Sequence, residues 1–196
     1  MMTEDMLYDS FLRGDITAYD QLMIRLGDPL VLYLNGYLHD WQEAEDLMIE
    51  AFARIMAKKP SIKAGSFKAY LFRTGRNLAL RFYERKRRIR MFSMDGMEKD
   101  AADSFLLANA GGVQEGETPA GMLAAGERKK TLLTCLDRIE PDLREALWLV
   151  YIDDLSYAQA AEVMGIKVKR IDRLLARGKQ QMRIELEKEG VTNAYE

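Results

Sequence analysis

Apolar positions recur at helical spacing along most of the chain, and the recurrence fails in one stretch. From about Glu4 to Arg90 the pattern is helical. Gly14-Asp15 and Gly27-Asp28-Pro29 read as helix breaks within it. Between Ser93 and about Gly126 the period is lost. That stretch is rich in Gly, Ala, Asp and Glu, with Gly111-Gly112 and Thr118-Pro119, and reads as a flexible linker holding one short helix around Phe105 to Ala108. Helical patterning resumes near Glu127 and continues to about Glu189. The expected fold is all-α: two small helical domains, 1–92 and 126–190, joined by an acidic linker over 93–125.

In the first domain, Asp40-Trp41-Gln42-Glu43 has the form of an acidic capping box. The helix it opens places Ala44, Leu47, Met48, Ala51, Phe52 and Ile55 on one core-facing stripe. Glu43, Asp46 and Glu50 form an acidic stripe beside it. Such a stripe repels DNA, so it is either solvated or meets a basic protein surface. Ser66 can cap the next long helix, whose buried side is expected to hold Phe67, Leu71, Thr74, Leu78 and Phe82. The charges of that helix are nearly all basic and end in Arg85-Lys86-Arg87-Arg88. Tyr70, Phe72, Phe82 and Tyr83 interleave with the cations. Aromatics stack on unpaired bases while cations hold the backbone, so the combination suits single-stranded nucleic acid, although core packing would also use these rings.

In the second domain, Pro141 suits the first turn of a helix running to about Tyr151, ended by Asp153-Asp154. Ser156-Tyr157-Ala158-Gln159 is a capping-box spacing that starts a short helix with Ala158, Ala161 and Met164 on its apolar face. Gly165 stops it, and a second helix begins near Lys167 or Val168. Short helix, glycine turn and basic helix form the helix-turn-helix pattern. At about 100° per residue, Ile171, Leu174, Leu175, Gly178 and Met182 gather on a packing face. Lys169, Arg170, Arg173 and Arg177 gather on an adjoining stripe able to meet phosphates or guanine edges; solvated arginines are the alternative. Asp172 lies off that stripe.

Composition changes this picture in two ways. The formal charge of −2 over 196 residues hides a segregation. Lys63 to Arg90 holds ten basic residues and one acid, and Lys167 to Arg183 holds seven and one. Ser93 to Glu127 holds seven acids and one lysine. Two basic surfaces separated by an acidic spacer suit a polyanionic partner. The single cysteine, Cys135, stands at helical spacing from Leu132, Leu136 and Ile139, and is expected to be a buried thiol in a reducing compartment. The acids Glu4 and Asp5 argue against a secretory signal, and the apolar run Leu30 to Leu34 is too short to cross a bilayer. A cytoplasmic protein without membrane insertion is expected. His39 has no triad or metal cluster near it in sequence; no catalytic residue, metal or cofactor is expected.

Four segments resemble the sigma-70 family of RNA polymerase factors. Gly14-Asp15 with Ala18-Tyr19 is similar to the family's opening. Glu43-Ala44-Glu45-Asp46-Leu47 through Glu50-Ala51-Phe52 resembles its polymerase-gripping helix. Ser66-Phe67-Lys68-Ala69-Tyr70-Leu71-Phe72-Arg73 through Arg76-Asn77-Leu78-Ala79-Leu80 resembles its −10 melting segment. Leu155-Ser156 through Arg183 resembles its −35-reading helix-turn-helix, a winged-helix-like region 4. Two domains with only a linker between them are the form of the extracytoplasmic-function (ECF) group. The resemblance implies region 2 over 1–92 and region 4 over 126–190. It implies docking of Glu43, Asp46, Leu47, Ile49 and Glu50 on the clamp helices of the largest polymerase subunit. It implies −10 contacts by Ser66, Phe67, Arg73, Arg76, Asn77 and Arg81, with the loop from about Lys59 to Ser66 capturing a flipped base. It implies −35 contacts by Ser156, Lys167, Lys169, Arg170, Arg173 and Arg177. The linker would thread polymerase channels later vacated for RNA. An anti-sigma protein is a further implied partner, contacting the groove between the domains.

Departures from the family pattern are also visible. Ile49 stands where glutamine is usual, which makes that contact more apolar. Arg81 stands where an acid is usual. Lys169-Arg170 replaces Gly-Thr, and Asp172 and Leu174 replace basic residues, so the preferred −35 sequence does not transfer from relatives. Two rival readings follow from the residues. One is a helix-turn-helix regulator that binds DNA unaided and has no sigma role. The other is an adaptor that keeps the fold without promoter activity.

Overall fold

The computed structural model describes residues 2–93 and 126–191, with side chains described for 2–88 and 131–191. Apart from Ser93, which ends a helix, the linker expected over 93–125 and its short helix around Phe105 to Ala108 lie outside the described residues. The described chain is helical, in the order α1 (Glu4–Leu12), α2 (Ile16–Leu38), α3 (Trp41–Lys58), α4 (Phe67–Ser93), α5 (Gly126–Asp137), α6 (Pro141–Leu147), α7 (Tyr157–Met164) and α8 (Val168–Lys188). It divides into two compact units, one centred on α1–α4 and the other on the helices from α5 onward.

In the first unit α2, α3 and α4 pack on one another and α1 closes one side. Each helix start has a local cause. Thr3 caps α1 through Met6 N, Asp15 caps α2 through Thr17 N and Ala18 N, and Asp40 caps α3 through Glu43 N at 3.2 Å. Hydrogen bonds from Thr17, chiefly from its hydroxyl at 2.6 Å, hold the Asp15 carboxyl below the usual carboxylate range. The Gly14-Asp15 break is real. The break expected at Gly27-Asp28-Pro29 is not, because α2 runs through Pro29. An internal proline costs about 3 kcal/mol. The apolar face offsets that: Leu22, Leu26, Leu30, Val31, Tyr33 and Leu34 are all buried along one continuous stripe.

The stripe expected on α3 packs inward, with Ala44, Ala51, Phe52 and Ile55 nearly inaccessible and Met48 half-buried. On α4 the buried line is Phe67, Ala69, Leu71, Phe72, Gly75, Leu78 and Ala79, while Thr74 and Phe82 are only half-buried. Phe72 is therefore a core ring, lying 5.2 Å from Tyr33, and is withdrawn from base stacking.

In the second unit α6 and α8 make the main contact, and α5 packs on α8. Cys135 is buried with Leu136 and Ile139, but Leu132 is exposed. Burial pushes the Cys135 thiol up from its ordinary value. The helix opened by Pro141 reaches Leu147 and then widens into a π-helical turn, Trp148–Ile152, closed by Asp153 N donating to the Trp148 carbonyl at 3.0 Å. The apolar face of α7 is Ala160, Ala161, Val163 and Met164. Ala158, expected on that face, is exposed, because the two-turn helix is rotated to bury the neighbouring positions. No helix among the described residues is long and apolar enough to cross a membrane.

Candidate nucleic-acid interface

Helix α3 exposes Glu45, Asp46, Ile49, Ala53 and Met56 on one side. Ile49 is 53% exposed and Met56 46%, so the acidic surface has an apolar centre. Glu43 and Glu50 are half-buried at its edge, and Glu50 is paired with Arg54 at 2.5 Å. Leu47, expected at this surface, is only 7% exposed. It shares the core stripe with Ala44 and Ala51, one helical turn away on either side, so it supports the surface from beneath.

The loop after α3 begins at Lys59, in the left-handed region with φ 43°, and ends at Gly65, with φ 78°. Ser61, Lys63, Ala64 and Gly65 are exposed and Ile62 is half-buried. Ser66 holds the N-cap position of α4, its carbonyl accepting from Tyr70 N at 2.9 Å. The amides of Ser66 and Phe67 both donate to Asp5 Oδ1, at 3.1 and 3.3 Å. Phe67, expected to contact DNA, is fully buried against Tyr8 at 4.8 Å, so its ring anchors the helix start to the core. Arg73, Asn77 and Arg81 are exposed and Arg76 is half-buried. Tyr70, Phe82 and Tyr83 are half-buried, and the Tyr83 hydroxyl donates to the Tyr37 carbonyl. Lys86 covers Phe82 at 5.3 Å.

In the second unit Ser156 N donates to Gln159 Oε1 at 2.9 Å and Gln159 N donates to Ser156 Oγ at 3.3 Å, a reciprocal capping box. The Ser156 hydroxyl is thus engaged at the start of α7. Gly165, with φ 67°, makes the turn into α8. Ile171, Leu174, Leu175 and Gly178 are buried, Met182 is half-buried, and Lys167, Lys169, Arg170, Arg173 and Arg177 are exposed. The angular reading therefore separates packing face from basic stripe correctly. It could not show that Arg170 pairs with Asp142 at 3.0 Å and Arg177 with Glu140 at 3.2 Å. Asp172 is exposed beside a cluster formed by Tyr151, Tyr157 and Lys179, in which Lys179 lies 4.9 Å over the Tyr151 ring. A hydrogen bond with Tyr151 raises the Tyr157 phenol above its usual range.

A family model described as Sigma-70 region 2 matches residues 22–89, and one described as Sigma-70, region 4 matches residues 129–182. The chain belongs to the sigma-70 family. Similar proteins place it in the ECF group. An ECF RNA polymerase sigma factor SigE of Mycolicibacterium smegmatis is 28% identical over 85% of this chain, which spans 60% of that protein. The RNA polymerase sigma-H factor of Pseudomonas aeruginosa is 25% identical over 92% of this chain and 93% of its own length. The ECF RNA polymerase sigma-E factor of Escherichia coli is 23% identical over 91% of this chain and 92% of its own. Among solved structures, CnrH in complex with the cytosolic domain of CnrY shares the fold at a TM-score of 0.62 and 19% identity, covering 94% of this chain and 97% of its own. The sigma factor RpoE of Bartonella quintana, in complex with the anti-sigma factor NepR, gives 0.59 and 22%, covering 86% and 96%.

In this sigma-family chain the region 2 match takes in most of α2, all of α3 and most of α4, and the region 4 match reaches into α8. Helix α1 precedes the first match. Asp5 and Tyr8, which hold the loop before α4, were not singled out from sequence; contacts across more than fifty residues leave no periodic trace. Glu140 and Asp142, with partners 37 and 28 residues away, leave no periodic trace either. Among the described residues no group of three His, Cys, Asp or Glu side chains could hold a metal, and His39 is the exposed left-handed cap of α2.

Proposed function

We propose that this sigma factor docks on the clamp helices of core RNA polymerase through the exposed side of α3, with Asp46 and Ile49 central and Glu43 and Glu50 at the edge. The 59–66 loop, Ser66 and the polar and basic positions Arg73, Arg76, Asn77 and Arg81 open and hold the −10 element. Lys167, Lys169, Arg170, Arg173 and Arg177 read the −35 element, with Ser156 fixing the start of the first helix of the pair. It acts as a binding and DNA-opening factor rather than as an enzyme, and works in the cytoplasm. The observation that carries the reading is one chain holding both matched regions, with an exposed acidic and apolar helix face in the first unit besides the basic surfaces. A regulator that bound DNA unaided would have no use for that face.

Run-off transcription with purified core polymerase on a genomic promoter library tests it. Discrete transcripts that depend on this protein are expected. No transcript from any promoter would sink the reading, and tight specific binding of DNA by the protein alone would favour the regulator. Since two solved relatives are in complexes, one with a partner named an anti-sigma factor, we extend an anti-sigma partner to this chain. A pull-down from native cells, scored for polymerase subunits and for a small membrane protein, tests that partner.

A further inference from the structure

The loop between α3 and α4 is exposed along its middle, yet both of its ends are fastened to α1. At the leading end, the Tyr8 hydroxyl donates to the Pro60 carbonyl at 2.8 Å, and Lys59 Nζ lies 5.1 Å over the Phe11 ring. At the trailing end, Asp5 Oδ1 accepts from the amides of Ser66 and Phe67, and the Tyr8 ring packs on Phe67. Tyr8 and Phe11 are 3% and 4% exposed, so these anchors are part of the core. Helix α1 is itself tied back to α2, where Arg25 donates to the Met2 carbonyl at 2.5 Å. Ser66 N also donates to the Lys63 carbonyl at 3.0 Å, which closes the last turn of the loop.

We infer that α1 is a positioning element for promoter opening: Asp5 and Tyr8 hold the 59–66 loop in the shape that receives an unpaired base. The inference rests on the proposal that this loop takes a flipped −10 base. It adds residues that touch no DNA and lie ahead of the matched region. The physical case is preorganisation. A loop with both ends fixed loses less freedom when a base binds than one fixed by its flanking helices alone. An acceptor from another helix also satisfies the Phe67 amide and shares that of Ser66 with the Lys63 carbonyl, which fixes the start of α4.

The test uses holoenzyme assembled with the full chain as wild type, Asp5→Ala, Asp5→Asn and Tyr8→Phe. Each is selected against a pool of random single-stranded oligonucleotides, and base enrichment is read by sequencing. Affinity for core polymerase and for a −35 duplex, and the thermal midpoint, are measured alongside. Asp5→Ala and Tyr8→Phe should lose at least about fivefold of the wild-type base enrichment, the loss expected from one cap or one hydrogen bond. Core and −35 affinities, assigned to other residues, should stay within about twofold. Asp5→Asn should keep most of the enrichment, because its amide oxygen still accepts. Tyr8→Phe keeps the buried ring and guards against simple unfolding. Unchanged enrichment in Asp5→Ala and Tyr8→Phe would overturn the inference, as would losses matched by an equal fall in core affinity. Asp5→Asn as weak as Asp5→Ala would assign the effect to charge and overturn the capping role. Absence of enrichment in the wild type would instead sink the −10 reading, and the inference with it.

Discussion

Arg170 and Arg177, proposed to read the −35 element, are each paired with an acid, Asp142 and Glu140. Both pairs are exposed, and surface pairs of this kind are weak and screened by salt. Replacing Asp142 with Asn and Glu140 with Gln should tighten −35 duplex binding by up to about fivefold at low salt, shrinking towards none as salt rises; fluorescence anisotropy across a salt series checks this. Tyr19 gives a second residue-scale expectation. Its hydroxyl donates to the Phe52 carbonyl, and burial raises the phenol well above its ordinary pKa. A raised phenol stabilises the fold fully below the unfolded pKa of about 10 and loses that contribution as pH climbs towards the folded value. Tyr19→Phe should cost about 1 kcal/mol at neutral pH and flatten the fall in stability above about pH 10, read from urea melts. Cys135, buried with its thiol pushed up, should resist alkylation until the protein unfolds; mass spectrometry after an iodoacetamide pulse reports it. The sequence disclosed which residues carry charge and which face they share. It was silent on Asp142, Glu140 and Asp5, whose partners are 28, 37 and more than sixty positions away.

Helices meet closely at two glycines that propensity alone would disfavour. A Cβ on Gly178 would stand 3.1 Å from Leu147 Cγ and 3.4 Å from the Leu143 carbonyl. A Cβ on Gly75 would meet methyl ends, Leu30 Cδ1 at 3.0 Å and Leu34 Cδ2 at 3.4 Å. Alanine gains about 1 kcal/mol of helix propensity at either site, against about 1–3 kcal/mol for overpacking a core. Methyl ends can rotate aside, whereas a branch carbon and a carbonyl cannot without moving α6. Gly178→Ala should therefore destabilise, and Gly75→Ala should stay near neutral, in thermal melts. The pattern and its caps made the start of α3 and both ends of α7 and α8 legible to within a residue or so. It failed at Pro29, because local punctuation ignores the burial that carries α2 through it. It also missed the widened turn at Trp148–Ile152, since a single π-helical turn barely disturbs an apolar period.

Across the whole molecule a net charge of −2 coexists with two basic surfaces. Long-range attraction to DNA is consequently weak, and affinity must come from local contacts inside the holoenzyme. Removing one phosphate-binding side chain should reduce the slope of log affinity against log salt by about 0.9. Arg170→Ala, Arg173→Ala and Arg177→Ala combined should lower the holoenzyme's slope by up to about 3 while core binding holds; an unchanged slope would remove the stripe from the reading surface. Helix α1 has a different bearing at this scale. It is nine residues long, a length that is marginal in water without tertiary support. A short helix that depends on tertiary contacts is open to local unfolding in native-state fluctuations. Each opening would free Pro60 and Ser66 together, so the loop would switch between set and slack with each local unfolding of α1. A molecule that captured the slack helix would loosen the 59–66 loop from behind, without covering its exposed middle.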